Sequence, residues 1–143
     1  MSNGIDISHI ADEITKCLSE YSDDIAKGID KAVDITAKET VRELKKTSPR
    51  RSSDKPRKYK SSGKSYPAGS YAKSWGSTIL SDKTGNSQKV VNNKIHYRLT
   101  HLLEKGHKNR DGTNSKSIPH ISTVEEKAIS DFGKRVEDII NDT

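Results

Sequence analysis

From Ile10 to Leu44 the apolar residues return every three or four positions: Ile10, Ile14, Cys17, Leu18, Tyr21, Ile25, Ile29, Ala32, Val33, Ala37, Val41 and Leu44. That recurrence is the stripe of one amphipathic helix. Ser8 is placed to cap it, and Asp12 and Glu13 lie near the first turn, where the helix dipole favours anions. Asp12 and Lys16, Asp23 and Lys27, and Asp34 and Lys38 set an acid one turn before a base, the better orientation for helix support. Lys45 and Lys46 suit the C-terminal end, and Pro49 prevents continuation. A helix from about 8 to about 46 would be roughly 58 Å long. A fold of this size does not cover such a length, so the helix either breaks near Gly28 or packs one half against a neighbouring subunit. No turn signal surrounds Gly28, which favours one long or kinked helix.

The period then disappears. Residues 47–69 are polar and basic, with Arg50, Arg51, Lys55, Arg57, Lys58, Lys60 and Lys64 against Asp54 alone, and they read as a flexible loop or arm. Alternation returns in Tyr71–Leu80. A turn at Asp82–Ser87, centred on Thr84-Gly85-Asn86, leads to Gln88–Asn92, and a second turn at Asn92–Lys94 leads to Ile95–Leu99. These three runs predict an antiparallel meander. Leu99, Leu102 and Leu103 then take helical spacing, and Gly106, able to enter positive φ, ends the turn. Asn109–Ser117 is a loop. Ile118-Pro119-His120-Ile121 is a short edge strand or extended lead-in, because proline cannot donate within a ladder. Ser122 with Glu125, or Thr123 with Glu126, makes a capping box for a closing helix. Its apolar face is Val124, Ala128, Ile129, Phe132, Val136, Ile139 and Ile140. The predicted class is α+β: a long N-terminal helix, a small antiparallel sheet of three to four strands and a C-terminal helix. The whole of 1–143 is expected to be a single domain, divided at 8–46, 47–69, 70–121 and 122–143.

One stretch is more specific than the rest. Tyr97-Arg98-Leu99-Thr100-His101-Leu102-Leu103-Glu104-Lys105-Gly106-His107, followed by Ile118-Pro119-His120-Ile121, resembles the tail-component or neck family of long-tailed bacteriophages. Thr47-Ser48-Pro49 and Gly69-Ser70-Tyr71-Ala72-Lys73-Ser74-Trp75 agree with it in the same order, so the resemblance covers most of 29–130. It implies a non-enzymatic virion protein at the head–tail junction, assembled in the host cytoplasm as a homo-oligomeric ring around the DNA channel. Its implied partners are a head-connector protein on one side and a tail terminator or tube protein on the other. The tail terminator itself is an alternative identity.

Charge adds an asymmetry. The formal net charge is +6. Residues 1–34 hold eight acids and three lysines, a net −5, and the remaining 23 bases and 12 acids leave +11. Such separation can draw in nucleic acid, or let one copy's acidic end meet another's basic end. With 29% hydrophobic and 32% charged residues, part of the burial is expected to come from partners. Cys17 is the single cysteine, which rules out an internal disulfide and fits a reducing compartment. No apolar run approaches membrane-spanning length, and the N-terminus is polar rather than signal-like.

Three function classes remain after the residues are weighed. In the first, the motif residues Leu99, His101, Leu102, Leu103, Glu104, Gly106, His107, Pro119 and His120 are structural, with His101 bonding Glu104 across a turn and His107 and His120 tying the loop stems. In the second, the 50–64 loop lies on double-stranded DNA as a nucleic-acid-binding module. In the third, His96, His101, His107 and His120 with Glu104 hold a metal, or His101, Asn114 and His120 form a His-Asn-His nuclease centre. The spacings match neither the two-turn zinc helix nor the neighbouring chemistry such nucleases need, since positions 100 and 102 are Thr and Leu. No catalytic residue, metal or cofactor is assigned. Tyr71 and Trp75 are expected to be core or sheet-packing aromatics rather than a base-stacking platform.

Overall fold

The computed structural model describes residues 7–52, 55–58, 62–81 and 87–142. Lys60 of the basic loop and the Thr84-Gly85-Asn86 turn fall outside these described residues. Helix α1 spans Ile7–Thr47 without interruption, 41 residues or about 61 Å. It already includes Ser8, which is therefore inside the first turn and not its cap.

Gly28 does not break the helix. A Cβ at that position would lie 2.8 Å from Ile139 Cγ2, so the glycine serves as a close-approach point for the last helix. That helix, α4 (Ser122–Asp142), runs antiparallel along the C-terminal half of α1. Val124 packs with Leu44 at one end and Ile139 meets Gly28 at the other. Between them the Arg135 guanidinium donates to Thr36 Oγ1 at 2.8 Å and to the Glu39 carboxylate at 2.5 Å. Ala32, beside Ile139 and Arg135 in a shallow groove between the two helices, is buried, and its small side chain keeps the axes close.

No described residue covers α1 on the N-terminal side of this contact. Residues 10–24 are all exposed, and the apolar stripe at Ile10, Ile14, Leu18 and Tyr21 stands 40, 54, 63 and 41% accessible. Roughly 27 Å of helix projects past α4. The helix has the predicted length, and no described residue covers the excess.

The strands depart from the predicted meander. Among the described residues four are present, as two separate antiparallel pairs. The first, β1 (Arg57–Lys58) with β2 (Ser65–Tyr66), lies inside the segment expected to be an unstructured loop. The second, β3 (Trp75–Ser81) with β4 (Ser87–Asn93), sets Trp75 opposite Asn93 and Ser77 opposite Val91. The face bearing Trp75, Val91 and Lys89 turns toward α1, where Lys89 pairs with Asp34, itself 2.9 Å from Lys38. Tyr71 belongs to a short helix, α2 (Ser70–Lys73), rather than to a strand.

Ile95–Leu99 is not a third strand. Asn93 Oδ1 accepts the His96 amide at 2.7 Å, and Leu99 N–H donates to the His96 carbonyl at 2.9 Å. This side-chain-to-backbone turn bends the chain into a 3-10 turn (Tyr97–Leu99) that continues as α3 (Thr100–Lys105). Ile118–Ile121 is an extended lead-in without strand pairing. The core lies where these pieces meet, with Leu44, Tyr71, Trp75 and Val124 at its centre and Val41, Val91, Leu99, Leu103 and Ile121 around them.

This layout separates two kinds of apolar residue on one helix. Leu44→Ala should cost about 3 kcal/mol, as a core truncation. Leu18→Asp should leave the stability of the dilute, monomeric chain within about 0.5 kcal/mol. Urea unfolding checks both, and a Leu18 variant as damaging as the Leu44 one would mean that the projecting half packs on its own body.

Candidate functional site

The motif pieces that are scattered through the sequence converge on one buried network. Its anchor is Glu104, at the end of α3. Its carboxylate accepts the backbone N–H groups of His120 at 2.7 Å, Ile121 at 3.0 Å and Ser122 at 3.0 Å. These are donors at the start of α4, which lack intrahelical partners. A neighbouring helix thus supplies the cap, in place of the local capping box expected from Ser122 and Glu125 or Thr123 and Glu126. Burial pushes the Glu104 pKa up, but the three amides and the Ser122 hydroxyl outweigh it and bring the value from the usual 4.5 to about 2.

His120 is buried next to this carboxylate. Its Nδ1 is 2.7 Å from the Ile118 carbonyl and 3.2 Å from Glu104, two acceptors, so Nδ1 carries the hydrogen. Nε2 is then the acceptor of the Tyr71 hydroxyl at 2.9 Å. Burial, and secondarily the Glu104 charge, raise the Tyr71 pKa to about 12, which keeps that hydroxyl a donor. Tyr71, Trp75 and His120 stack edge to face, with centroids 5.6–6.4 Å apart. Trp75 Nε1 donates to Ser48 Oγ at 2.7 Å, which ties in the end of α1.

On the other side, Asn93 Nδ2 donates to the Tyr71 carbonyl at 2.8 Å. His96 Nε2 meets Ser70 Oγ at 2.9 Å, and burial lowers the pKa of this imidazole. Ser48 and Ser70 lie in the recognised motif pieces, but their cross-links were not anticipated. Asn93 belongs to the predicted Asn92–Lys94 turn, and its place three residues before the buried His96 is the signal in the sequence for the bond it makes.

The other predicted motif residues separate into groups. Leu99 and Leu103 pack on the core, while Leu102 and Pro119 are exposed. Gly106 has φ 75 and ψ 169, a conformation nearly confined to glycine, and a Cβ there would sit 2.7 Å from the Ser115 carbonyl oxygen. His107 does brace the loop, its Nδ1 and its amide each 2.8 Å from Ser115 Oγ, but it does so without His120. His101 is exposed and Glu104 is turned to α4, so the expected bond between them is replaced. Both ring nitrogens of His120 are engaged inside the core, which sets it apart from His101 and leaves the His-Asn-His arrangement unassembled. Among the described residues no cluster of His, Cys, Asp and Glu could hold a metal ion.

Beside this network opens a cleft of about 220 Å³. Arg50, Arg51 and Arg57 stand at its edge, and Pro49, Tyr66, Leu99, Leu103 and Ile118 line it with Ser70 and His96. Lys55, Lys58 and Lys64 are exposed nearby in sequence. The family model described as "Bacteriophage HK97-gp10, putative tail-component" matches residues 12–106, a range that takes in most of α1, the Tyr71–Trp75 segment and α3 with its closing glycine.

The chain belongs to this HK97 gp10-like family of phage tail components.

The matched stretch contains Tyr71, Trp75, Asn93, His96, Glu104 and Gly106, but ends before His120 and α4, which complete the same core. No curated protein and no solved structure matches the chain. Among the described residues no helix is long and apolar enough to cross a membrane.

The Glu104 cap gives a pH-dependent prediction. Its folded pKa is below the unfolded value, so its stabilisation is complete above about pH 4.5 and is lost as pH falls toward about 2. Glu104→Ala should lower stability at pH 7 by about 2 kcal/mol, since it removes three amide bonds to a charged acceptor, two of them part-buried. The gap between wild type and variant should close on acidification in that window. A gap that stays constant from pH 6 to pH 2.5 in urea titrations would refute the assignment.

Proposed function

We propose that this tail component works at the head–tail junction as a structural, non-catalytic virion protein, closing as a ring around the DNA channel. The chain acts as one folding unit, with a head-connector protein on one side of the ring and a tail terminator or tube protein on the other. A tail terminator of the same build is the nearest alternative within the family.

The observation that supports this reading is the projecting half of α1. A stripe of large apolar residues at 40–63% accessibility is surface that a stable soluble fold normally covers. In a family of tail components the cover available is another virion subunit. Head-to-tail contacts between identical copies close into rings when the rotation per copy permits.

The basic 50–64 segment supports a second role within the same assembly. Arg50, Arg51, Lys55, Arg57, Lys58 and Lys64 are all exposed, and a ring would present several copies of them to passing double-stranded DNA. The contact would be with phosphate and independent of sequence.

Two measurements test this. The solution mass of the purified protein, alone and mixed with its joining partners, should rise to a defined multiple of the chain; a strict monomer under every condition rejects the ring. The assembled form should retain duplex DNA with an affinity that falls steeply with salt. Replacing Lys55, Lys58, Lys60 and Lys64 by Ser should flatten that slope by about one per lost phosphate contact while sparing assembly. An unchanged slope assigns the loop no DNA contact.

A further inference from the structure

The two ends of α1 carry complementary surfaces. At the N-terminal end, Ile10, Ile14, Leu18 and Tyr21 form the uncovered stripe, and Glu13, Glu20 and Asp24 fall along one of its edges by helical period. At the C-terminal end, immediately after Pro49, is the cleft whose edge carries Arg50, Arg51 and Arg57 over an apolar floor that includes Leu99 and Leu103. We propose that the acidic, apolar stripe of one copy docks in the arginine-edged cleft of the next copy.

This deepens the ring reading and rests on it. Chemistry selects the occupant. A bare phosphate would leave Pro49, Leu99, Leu103 and Ile118 against water, whereas an apolar side chain flanked by carboxylates covers the apolar lining and also brings negative charge beside the exposed Arg50, Arg51 and Arg57. A volume of about 220 Å³ admits one or two large side chains, the scale of Leu18 or Tyr21 and not of a whole helix. The anchor thus inserts while the acids meet the arginines at the edge.

Geometry excludes the same copy as partner. Ile14 and Pro49 lie at opposite ends of one uninterrupted helix, roughly 50 Å apart, so the stripe cannot fold back onto its own cleft. The contact therefore joins unlike surfaces of successive copies, the type that propagates until it closes.

Charge reversal in the full-length protein tests the contact. Glu13→Lys with Glu20→Lys, or separately Arg50→Glu with Arg57→Glu, should weaken self-association by about 30-fold or more in native mass or light-scattering measurements. Combining all four substitutions in one chain should restore it, a result that simple damage to either surface cannot produce. As a second readout, the exposed Cys17 within the stripe should form an intermolecular disulfide with a cysteine introduced by Arg51→Cys under mild oxidation. If wild type and both reversed variants assemble alike, or the four-fold variant fails to recover and no crosslink forms, this contact is wrong while the ring stands. If wild type never associates, alone or with its joining partners, the ring reading falls and this contact with it. Loss of duplex DNA retention by Arg50→Glu/Arg57→Glu with unchanged self-association would overturn the docking and give the cleft to phosphate.

Discussion

A single carboxylate on one short helix holds the start of another. Glu104 accepts three amide hydrogens at the beginning of α4, and through His120 and Tyr71 the same network reaches the β3–β4 pair and the end of α1. The His120 and Ile121 amides would otherwise be part-buried donors without partners, each costly to leave unpaired. Charge makes the cap stronger than a serine would be, at the cost of burying part of a carboxylate, and the low pKa shows that the hydrogen bonds outweigh the burial. The remaining cross-links among Ser48, Ser70, Asn93 and His96 fix the orientation of rings that the apolar core alone would hold loosely.

The rest of the molecule follows from where this knot sits. It lies at the C-terminal end of α1, so the packed body gathers there and along the half of α1 lined by α4. A core of four central residues cannot extend along 41 residues of helix. The first half of α1 is consequently helical by continuation from the packed half, not by tertiary cover from any described residue. In a tail-component family, that imbalance between helix length and core size reads as provision for neighbours.

How far the residues announced this depended on the range of each signal. The stripe from Ile10 to Leu44 repeats over many turns, so α1 was legible almost to the residue, and α4 likewise from its own apolar face. Ile95, Tyr97 and Leu99 alternate as a strand would, but Ile95 and Tyr97 are exposed and the Asn93 side chain diverts the backbone into a turn. Local turn chemistry there outweighs period. The β1–β2 pair is only two residues deep, too short for any alternation to register. Within the site, Glu104, Gly106 and His120 stood out as motif residues, but their connections did not. Glu104 and His120 meet across an intervening loop, and spacing within a sequence carries no information about such a contact.

Because α1 is one unbroken helix from the uncovered stripe to the packed body, the two are mechanically phased. Removing one residue between Tyr21 and Gly28 would rotate Ile10, Ile14 and Leu18 by about 100° around the axis relative to the core, though shortening the rod by only about 1.5 Å. Inserting seven there would bring the stripe nearly back to its bearing while lengthening the rod by about 10 Å. The segment around Ser22–Lys27 thus behaves as a spacer whose residue count, more than its chemistry, sets the direction in which the free end faces.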